Sequence, residues 1–292
     1  MADEILFELN LSPALPVDIK DVACEQGENE DIKCELVEQL RNLIFEKGDF
    51  EAHRTDDEYL IKFLRARYWN IEQTYKLLYN YYSFRKDNKI LHDNVRCVDL
   101  MSLAEQEILT VTPYREQNGR RIMILRFGTW DPKKMPIDDI LRLTLIILEL
   151  GSMEPISQVA GGIGLFDLGG LTMSQVLHLT PSIAQKIIAL IVTSSPLRTA
   201  AIHIVNQNWI FSAILKVFKP LLNAKMREKL FIHGSDMSSL HSHIGPKYLP
   251  KRYGGIKEDS SFQLSLWTEA LRADDKVKWE LQKLGYNISE NL

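Results

Sequence analysis

Cysteine is scarce in this chain, glycine and proline are unexceptional, and a long apolar run is missing altogether. The three cysteines, Cys24, Cys34 and Cys97, are an odd number at spacings unlike those of metal ligands, which excludes a disulfide framework and points to free thiols in a reducing cytoplasm. No stretch approaches the ~18 to 20 uninterrupted apolar residues that a membrane span needs, and the richest one, 141–150, already contains Arg142 and Glu149. Asp3, Glu4 and Glu8 stand where a secretory signal would carry basic and then apolar residues, so none is expected. With Gly 15 and Pro 11 in 292 residues, collagen-like and low-complexity architectures are excluded too. What remains is a soluble globular protein of one or two domains, with 45% hydrophobic residues to build a core.

Charge is present but unevenly placed. The net charge of -4 hides 17 acidic against 5 basic side chains in residues 1–60, and 10 basic against 2 acidic in residues 195–257. A concentrated basic surplus suits an anionic partner, with phosphate groups of lipid or nucleic acid as the usual candidates, or else a solvated face.

The apolar spacing changes character along the chain. Residues 1–30 mix Pro13 and Pro16 with acidic residues and read as an extended, acidic lead-in. Helical periodicity follows at 31–47, with Gly48 as a stop, again from Thr55, whose hydroxyl can cap with Glu58 three residues on, and at 71–86. An all-helical module is therefore expected over 31–95. Strand-length apolar runs then appear at 121–127, 163–168, 200–205 and 230–233, alternating with helical patterns at 137–150, 181–192, 209–218 and 221–229. This alternation predicts an α/β unit over 96–258, a mixed, largely parallel sheet flanked by helices. Residues 259–292 scatter Leu264, Leu266, Trp267, Leu271, Val277, Trp279 and Leu284 as a tail packing on the body.

Signatures of catalysis are missing. The segment GGIGLFDLGG at 161–170 does not complete a dinucleotide fingerprint, because Asp167 occupies the last glycine position and the glycines flank a strand instead of opening a helix. No P-loop, nucleophile elbow or HExxH is present, and His233, His241 and His243 lack the further ligands of a metal set. No catalytic residue, metal or cofactor is expected.

The segment 209–218, WIFSAILKVF, is conspicuous for surplus apolar surface. Ser212, Lys216 and Lys219 form one narrow polar stripe, and Trp209, Ile210, Phe211, Ile214, Leu215, Val217 and Phe218 cover the rest of the circumference. A helix resting on a core needs only about a 100° apolar stripe. Either this helix is buried on both sides, or it is a lid that closes over an apolar ligand and touches a bilayer with its outer side. Lys225, Arg227 and Lys229 follow directly, a placement suited to anionic headgroups. Nucleic acid is the weaker partner, because basic and aromatic residues do not interleave there and no helix-turn-helix or finger appears.

The stretch DDEYLIKFLRARYWN at 56–70, then WDPK at 130–133, IGLFDLGG at 163–170, SSPLR at 194–198, AIHIVN at 201–206, KPLL at 219–222, FIHG at 231–234 and LPKRYGG at 249–255 together resemble the CRAL-TRIO (Sec14-like) lipid-transfer family. The resemblance implies a helical module before an α/β lipid cavity closed by a mobile gate, in a non-enzymatic carrier of one hydrophobic molecule between membranes. Tocopherol-, retinoid- or carotenoid-like lipids are the implied cargo. Transient contact of a cytoplasmic monomer with endosomal or plasma membranes is implied as well. A lipid-occupancy sensor without bulk transfer is the alternative.

Carried onto this chain, the resemblance implies cavity positions at Leu141, Thr144, Leu145, Leu148, Phe166, Leu179, Ile187, Leu190, Ile191, Leu197, Ile202, Phe211, Ile214 and Phe218. It implies a phosphoinositide site at Arg198, Lys225, Arg227 and Lys229, with Ala200 where tocopherol-type members carry a second basic residue. The gate would meet the membrane through Trp209, Ile210, Phe211, Leu215, Val217, Phe218, Leu221 and Leu222.

Overall fold

A computed structural model describes residues 9–97, 108–259, 267, 271 and 274–288. Leu264 and Leu266 lie outside them. Four helices come first: α1 (Val17–Glu25), α2 (Lys33–Lys47), α3 (Asp57–Ala66) and α4 (Ile71–Asp87). Helix α1 corrects the extended lead-in expected for residues 1–30. It forms because Ile19 and Ala23, one turn apart, pack on Ile156 and Val159, and Pro16 sets the extended entry at its N-cap. Helix α2 stops at Gly48, whose left-handed backbone (φ 61°) is one that glycine adopts without strain. The cap of α3 is Asp56, not Thr55. Its carboxylate accepts from the Tyr59 amide at 3.2 Å and is gripped by Arg54.

The sheet contains β1 (Leu109–Val111), β2 (Arg121–Arg126), β3 (Gly162–Asp167), β4 (Thr199–Val205) and β5 (Leu230–Gly234) in sequential order. Only β1 runs antiparallel to its neighbour. Because β2 to β5 step in one direction through right-handed crossovers, the connecting helices fall on one face of the sheet. These helices are α5 (Ile137–Met153), α6 (Pro155–Ala160), the single turn α7 (Met173–Val176), α8 (Pro181–Ile188) with a wide π turn at Ala189–Thr193, α9 (Phe211–Phe218) and α10 (Ala224–Glu228). The opposite face is covered by the segment after β5, which includes α11 (Met237–His241).

Strand alternation serves both faces. Ile122, Ile124, Ile163, Leu165, Ala201 and Val205 pack under Leu240, Ile244, Leu249 and Tyr253, whereas Met123, Leu125, Phe166, Ile202 and Ile204 point toward the crossover helices. The core of α2, α3 and α4 runs without a break into α5 and into the last described helix, α12 (Asp275–Lys283), through Leu60, Phe63, Leu78, Leu145, Val277 and Leu281.

Beneath the far face sit three histidines in contact. His203 Nδ1 lies 2.9 Å from His233 Nε2, His233 Nδ1 lies 2.8 Å from Ser239 Oγ, and the His243 ring is 5.2 Å from that of His203. His241, one of the three singled out from the sequence, instead turns to the Tyr253 carbonyl at 2.8 Å. Burial, with repulsion from His233 and His243, depresses His203 to about 3. His233 is lowered by burial and by His243, against an opposing pull from Asp236. A neutral folded histidine that would protonate near 6.5 when unfolded contributes stability above that pH and loses it below. The melting temperature should therefore fall between pH 7 and pH 5, by about 2 kcal/mol of stability for His203 alone. Thermal melts of the parent against His203→Phe check this, with a flatter profile expected for the variant.

Candidate functional site

The crossover helices stand off from the sheet and leave an apolar cavity of about 140 Å³. Its floor is Met123, Leu125, Phe166, Ile202 and Ile204; one wall is Ile140, Leu141 and Thr144 of α5; another is Leu179, Ile187, Leu190 and Ile191. The roof is α9, which sends Phe211, Ile214, Leu215 and Phe218 inward. Polar atoms hardly reach this space, for Thr144 Oγ1 donates back to the Ile140 carbonyl at 2.7 Å. A space of this kind accepts hydrocarbon and offers nothing for acid–base or nucleophilic chemistry. Among the described residues, no group of three or more His, Cys, Asp or Glu could hold a metal ion.

Of the cavity positions expected from the sequence, Leu141, Thr144, Phe166, Leu179, Ile187, Leu190, Ile191, Ile202, Phe211, Ile214 and Phe218 line this space. Leu148 and Leu197 line an adjoining smaller one. Leu145 does not take part. It faces the helical module, where it closes a small gap with Tyr81 and Phe84 of α4, because α5 is apolar all round and buries more than one side.

Helix α9 is anchored at both ends. Asn206, at the end of β4, adopts a left-handed conformation (φ 53°) and donates from Nδ2 to Asp167 Oδ1 at 2.9 Å. Asn208 donates to the Leu171 carbonyl, and the turn Lys219–Leu221 with Pro220 closes the far end. The membrane contacts expected along this segment divide. Trp209 is 76% exposed, whereas Ile210 and Phe211 are only 5% and 7% exposed and pack inward. Leu215, Phe218 and Leu222 also line the cavity, and Val217 and Leu221 are half-buried. Ile210 and Phe211 therefore present almost no surface to a bilayer, since Phe211 roofs the cavity and Ile210 packs in the core beside it. Two exposed apolar residues that the sequence reading did not single out, Met173 and Leu177, belong to α7 and its cap, on the segment to which Asn208 ties the gate.

The basic positions also regroup. Arg198 lies over the Tyr68 ring at 4.6 Å and donates to Gln26 Oε1 and the Val159 carbonyl. Lys229 donates to the Thr199 carbonyl at 2.7 Å. Burial lowers both groups, with Arg120 repelling each and with Arg198 and Arg67 acting further on Lys229. Arg67 is itself lowered by burial and by Arg198. No carboxylate lies within ion-pair distance of these four cations among the described residues. Tyr68 and Trp69 both hold left-handed backbone (φ 53° and 61°), a strained turn that lays the Tyr68 ring against Arg198. Arg227 instead braces the turn after α9, donating to the Leu222 and Lys219 carbonyls at 3.0 and 3.2 Å, and Lys225 stays exposed on α10. Arg67 and Arg120 escaped the sequence reading because they converge only in three dimensions, although Arg67 closes the RAR motif at 65–67.

No described helix is long and apolar enough to cross a membrane. Residues 105–255 match the model of the CRAL/TRIO domain. The chain is 32% identical over 262 residues to Clavesin-1 of Pongo abelii, covering 89% of this chain and 73% of that protein. It is 32% identical over 244 residues to the Homo sapiens protein named Alpha-tocopherol transfer protein-like, covering 83% and 71% respectively. The crystal structure of Sfh5 superposes with a TM-score of 0.57 at 16% identity, over 88% of this chain and 98% of that one, a likeness of fold. A sheet stepping in one direction, an apolar cavity on its helical face, a matching domain model and relatives of this extent lead to one conclusion: the chain belongs to the CRAL/TRIO domain family.

Proposed function

We propose that this protein is a non-enzymatic carrier that takes one hydrophobic lipid into the cavity beneath α9 and passes it between membranes, opening that helix at an anionic bilayer. The observation that carries this reading is the closed, nearly nonpolar cavity roofed by a helix whose ends rest on Asn206 and a proline turn. Apolar area removed from water stabilises the loaded state by roughly 25 cal/mol per Å². Opening in water would expose both ligand and roof; at a bilayer the inner side of α9 meets hydrocarbon, so the open state is favoured there. Tocopherol-, retinoid- or carotenoid-like lipids fit the reading, as does the printed name of the human relative. We place the protein in the cytoplasm as a monomer that visits endosomal or plasma membranes.

Phosphoinositide headgroups fit the cations at Arg67, Arg120, Arg198 and Lys229, which lack carboxylate partners among the described residues and repel one another. A bound phosphate relieves that repulsion. An Arg67→Ala, Lys229→Ala double variant should bind vesicles containing phosphatidylinositol bisphosphate about ten-fold more weakly, and Lys225→Ala alone much less. Vesicle sedimentation with and without the phosphoinositide measures both. Equal loss in the two variants would overturn the regrouping.

Transfer kinetics of a labelled lipid between donor and acceptor vesicles test the carrier reading itself. Rapid, protein-dependent transfer is the expected outcome, whereas binding without exchange would make the chain a lipid-occupancy sensor.

A further inference from the structure

The apolar face of the sheet carries a second chamber. The outer one, beneath α9, lies toward the C-terminal ends of the strands, where Phe127, Leu168 and Ile204 stand. The inner one, of about 70 Å³, lies toward their N-terminal ends, over Gly162 and beneath Leu148 and Gly151 of α5. The two share Met123, Phe166, Ile191 and Ile202 as common wall. Two glycines of β3 stand at this junction. A Cβ on Gly164 would stand 3.4 Å from Phe166 Cε1, so the Phe166 ring lies back over the bare backbone of Gly164 and forms a waist between the chambers. A Cβ on Gly162 would make only ordinary contacts, with Leu197 Cδ2 at 3.8 Å and the Arg121 carbonyl oxygen at 4.0 Å, so a side chain there has room to enter the inner chamber.

We propose that the two chambers form one bipartite lipid site whose ligand is long and slim at its middle, a flexible isoprenoid or acyl chain that threads past Phe166, and that Phe166 is the residue that selects against rigid fused rings. The proposal rests on the carrier reading. Strands β2 and β3 run six residues each, so a ligand spanning both chambers is about 20 Å long, at roughly 3.3 Å per residue. The inner lining is apolar apart from Arg121, Ser157, Arg198 and Thr199, and these are already engaged, Arg121 and Ser157 with Glu154, Arg198 with Gln26 Oε1 and the Val159 carbonyl, and Thr199 Oγ1 with the Ile191 carbonyl, so what enters there is hydrocarbon. A fused-ring lipid is as wide at its middle as at its ends and cannot pass the waist without displacing the Phe166 ring.

The test is equilibrium dialysis of radiolabelled geraniol, farnesol and geranylgeraniol against the full chain, with dehydroergosterol as the rigid probe. The parent should bind the twenty-carbon alcohol most tightly. Gly162→Leu, which fills the inner chamber from the sheet, should weaken that alcohol about ten-fold and geraniol less than about two-fold. Leu148→Phe fills the same chamber from α5 and should reproduce the loss if Gly162→Leu fails to fold. Phe166→Ala should raise dehydroergosterol binding about ten-fold. Filled-chamber variants that keep parental affinity for geranylgeraniol, or an unaltered sterol affinity in Phe166→Ala, would overturn the bipartite site while leaving the carrier reading intact. A parent that binds none of the four probes would overturn both.

Discussion

A Trp209→Glu, Leu177→Glu double variant should lose association with lipid vesicles by about 100-fold while keeping its bound lipid. These are large apolar side chains on the gate approach and the neighbouring turn that the closed protein leaves in water, at 76% and 74% exposure. Burying a side chain of this size in hydrocarbon contributes about 1.5 to 3 kcal/mol, so losing two removes more than the 100-fold requires, and a carboxylate beside anionic headgroups adds repulsion. Neither residue lines the cavity, so cargo retention separates the effect from a damaged roof. Phe211→Asp is the informative contrast. Its side chain points into the cavity, and a carboxylate there should expel ligand, with membrane binding affected only through the open state. Sedimentation with vesicles, paired with mass spectrometry of co-purified lipid, reads both variants. Parental sedimentation of the double variant would remove Trp209 and Leu177 from the docking face.

The second large effect concerns Glu154, a carboxylate with no exposure at the junction of α5 and α6. Arg121 donates to it twice, at 2.8 and 2.6 Å, Arg115 approaches at 2.8 Å, and the Ser157 hydroxyl and the Asn10 amide complete its shell. Burial alone would raise its pKa, but the hydrogen bonds and charges of Arg121 and Arg115 outweigh burial and hold it below the usual carboxylate range. Glu154→Ala strands two guanidinium groups in the interior, and removing one partner of a buried pair costs about 3 to 5 kcal/mol. A drop of roughly 10 °C in melting temperature follows for a chain of this size, measurable by calorimetry. Since the folded carboxyl is depressed, its stabilising contribution is present above the ordinary carboxylate range and is lost as pH falls through the folded value. Glu154→Ala should accordingly flatten the acid limb of the stability profile. An unchanged melting temperature would show that these arginines find other partners.

The alternation of strand and helix periods placed the sheet and its crossover helices because each of those elements buries a continuous apolar face. Helix α1 was illegible for the opposite reason, because only Ile19 and Ala23 of it are buried while its other apolar residues, Val17 and Val22, stay exposed. The surplus grease of α9 was readable on a helical wheel, but a wheel does not say which side faces the cavity. Ile210 and Phe211 turned inward, and the outward surface came from Trp209 together with a turn 32 to 36 residues upstream, at Met173 and Leu177. The basic cluster shows the same limit: Arg67, Arg120, Arg198 and Lys229 come from four separate elements, and only the strained turn at Tyr68 and Trp69 brings the first against the rest. Leu145, a cavity position the resemblance implied, faces α4 instead, because α5 buries apolar residues against both the cavity and the helical module.

Strand β4 is shared by two interiors. Ile202 and Ile204 touch the cavity, and His203 between them belongs to the histidine trio on the far side of the sheet. A ligand that tilts β4 should therefore reach, across a single residue's width of backbone, three imidazole rings in mutual contact. On the function proposed here, their ring resonances should change on lipid loading, a spectroscopic gauge that needs no label on protein or lipid.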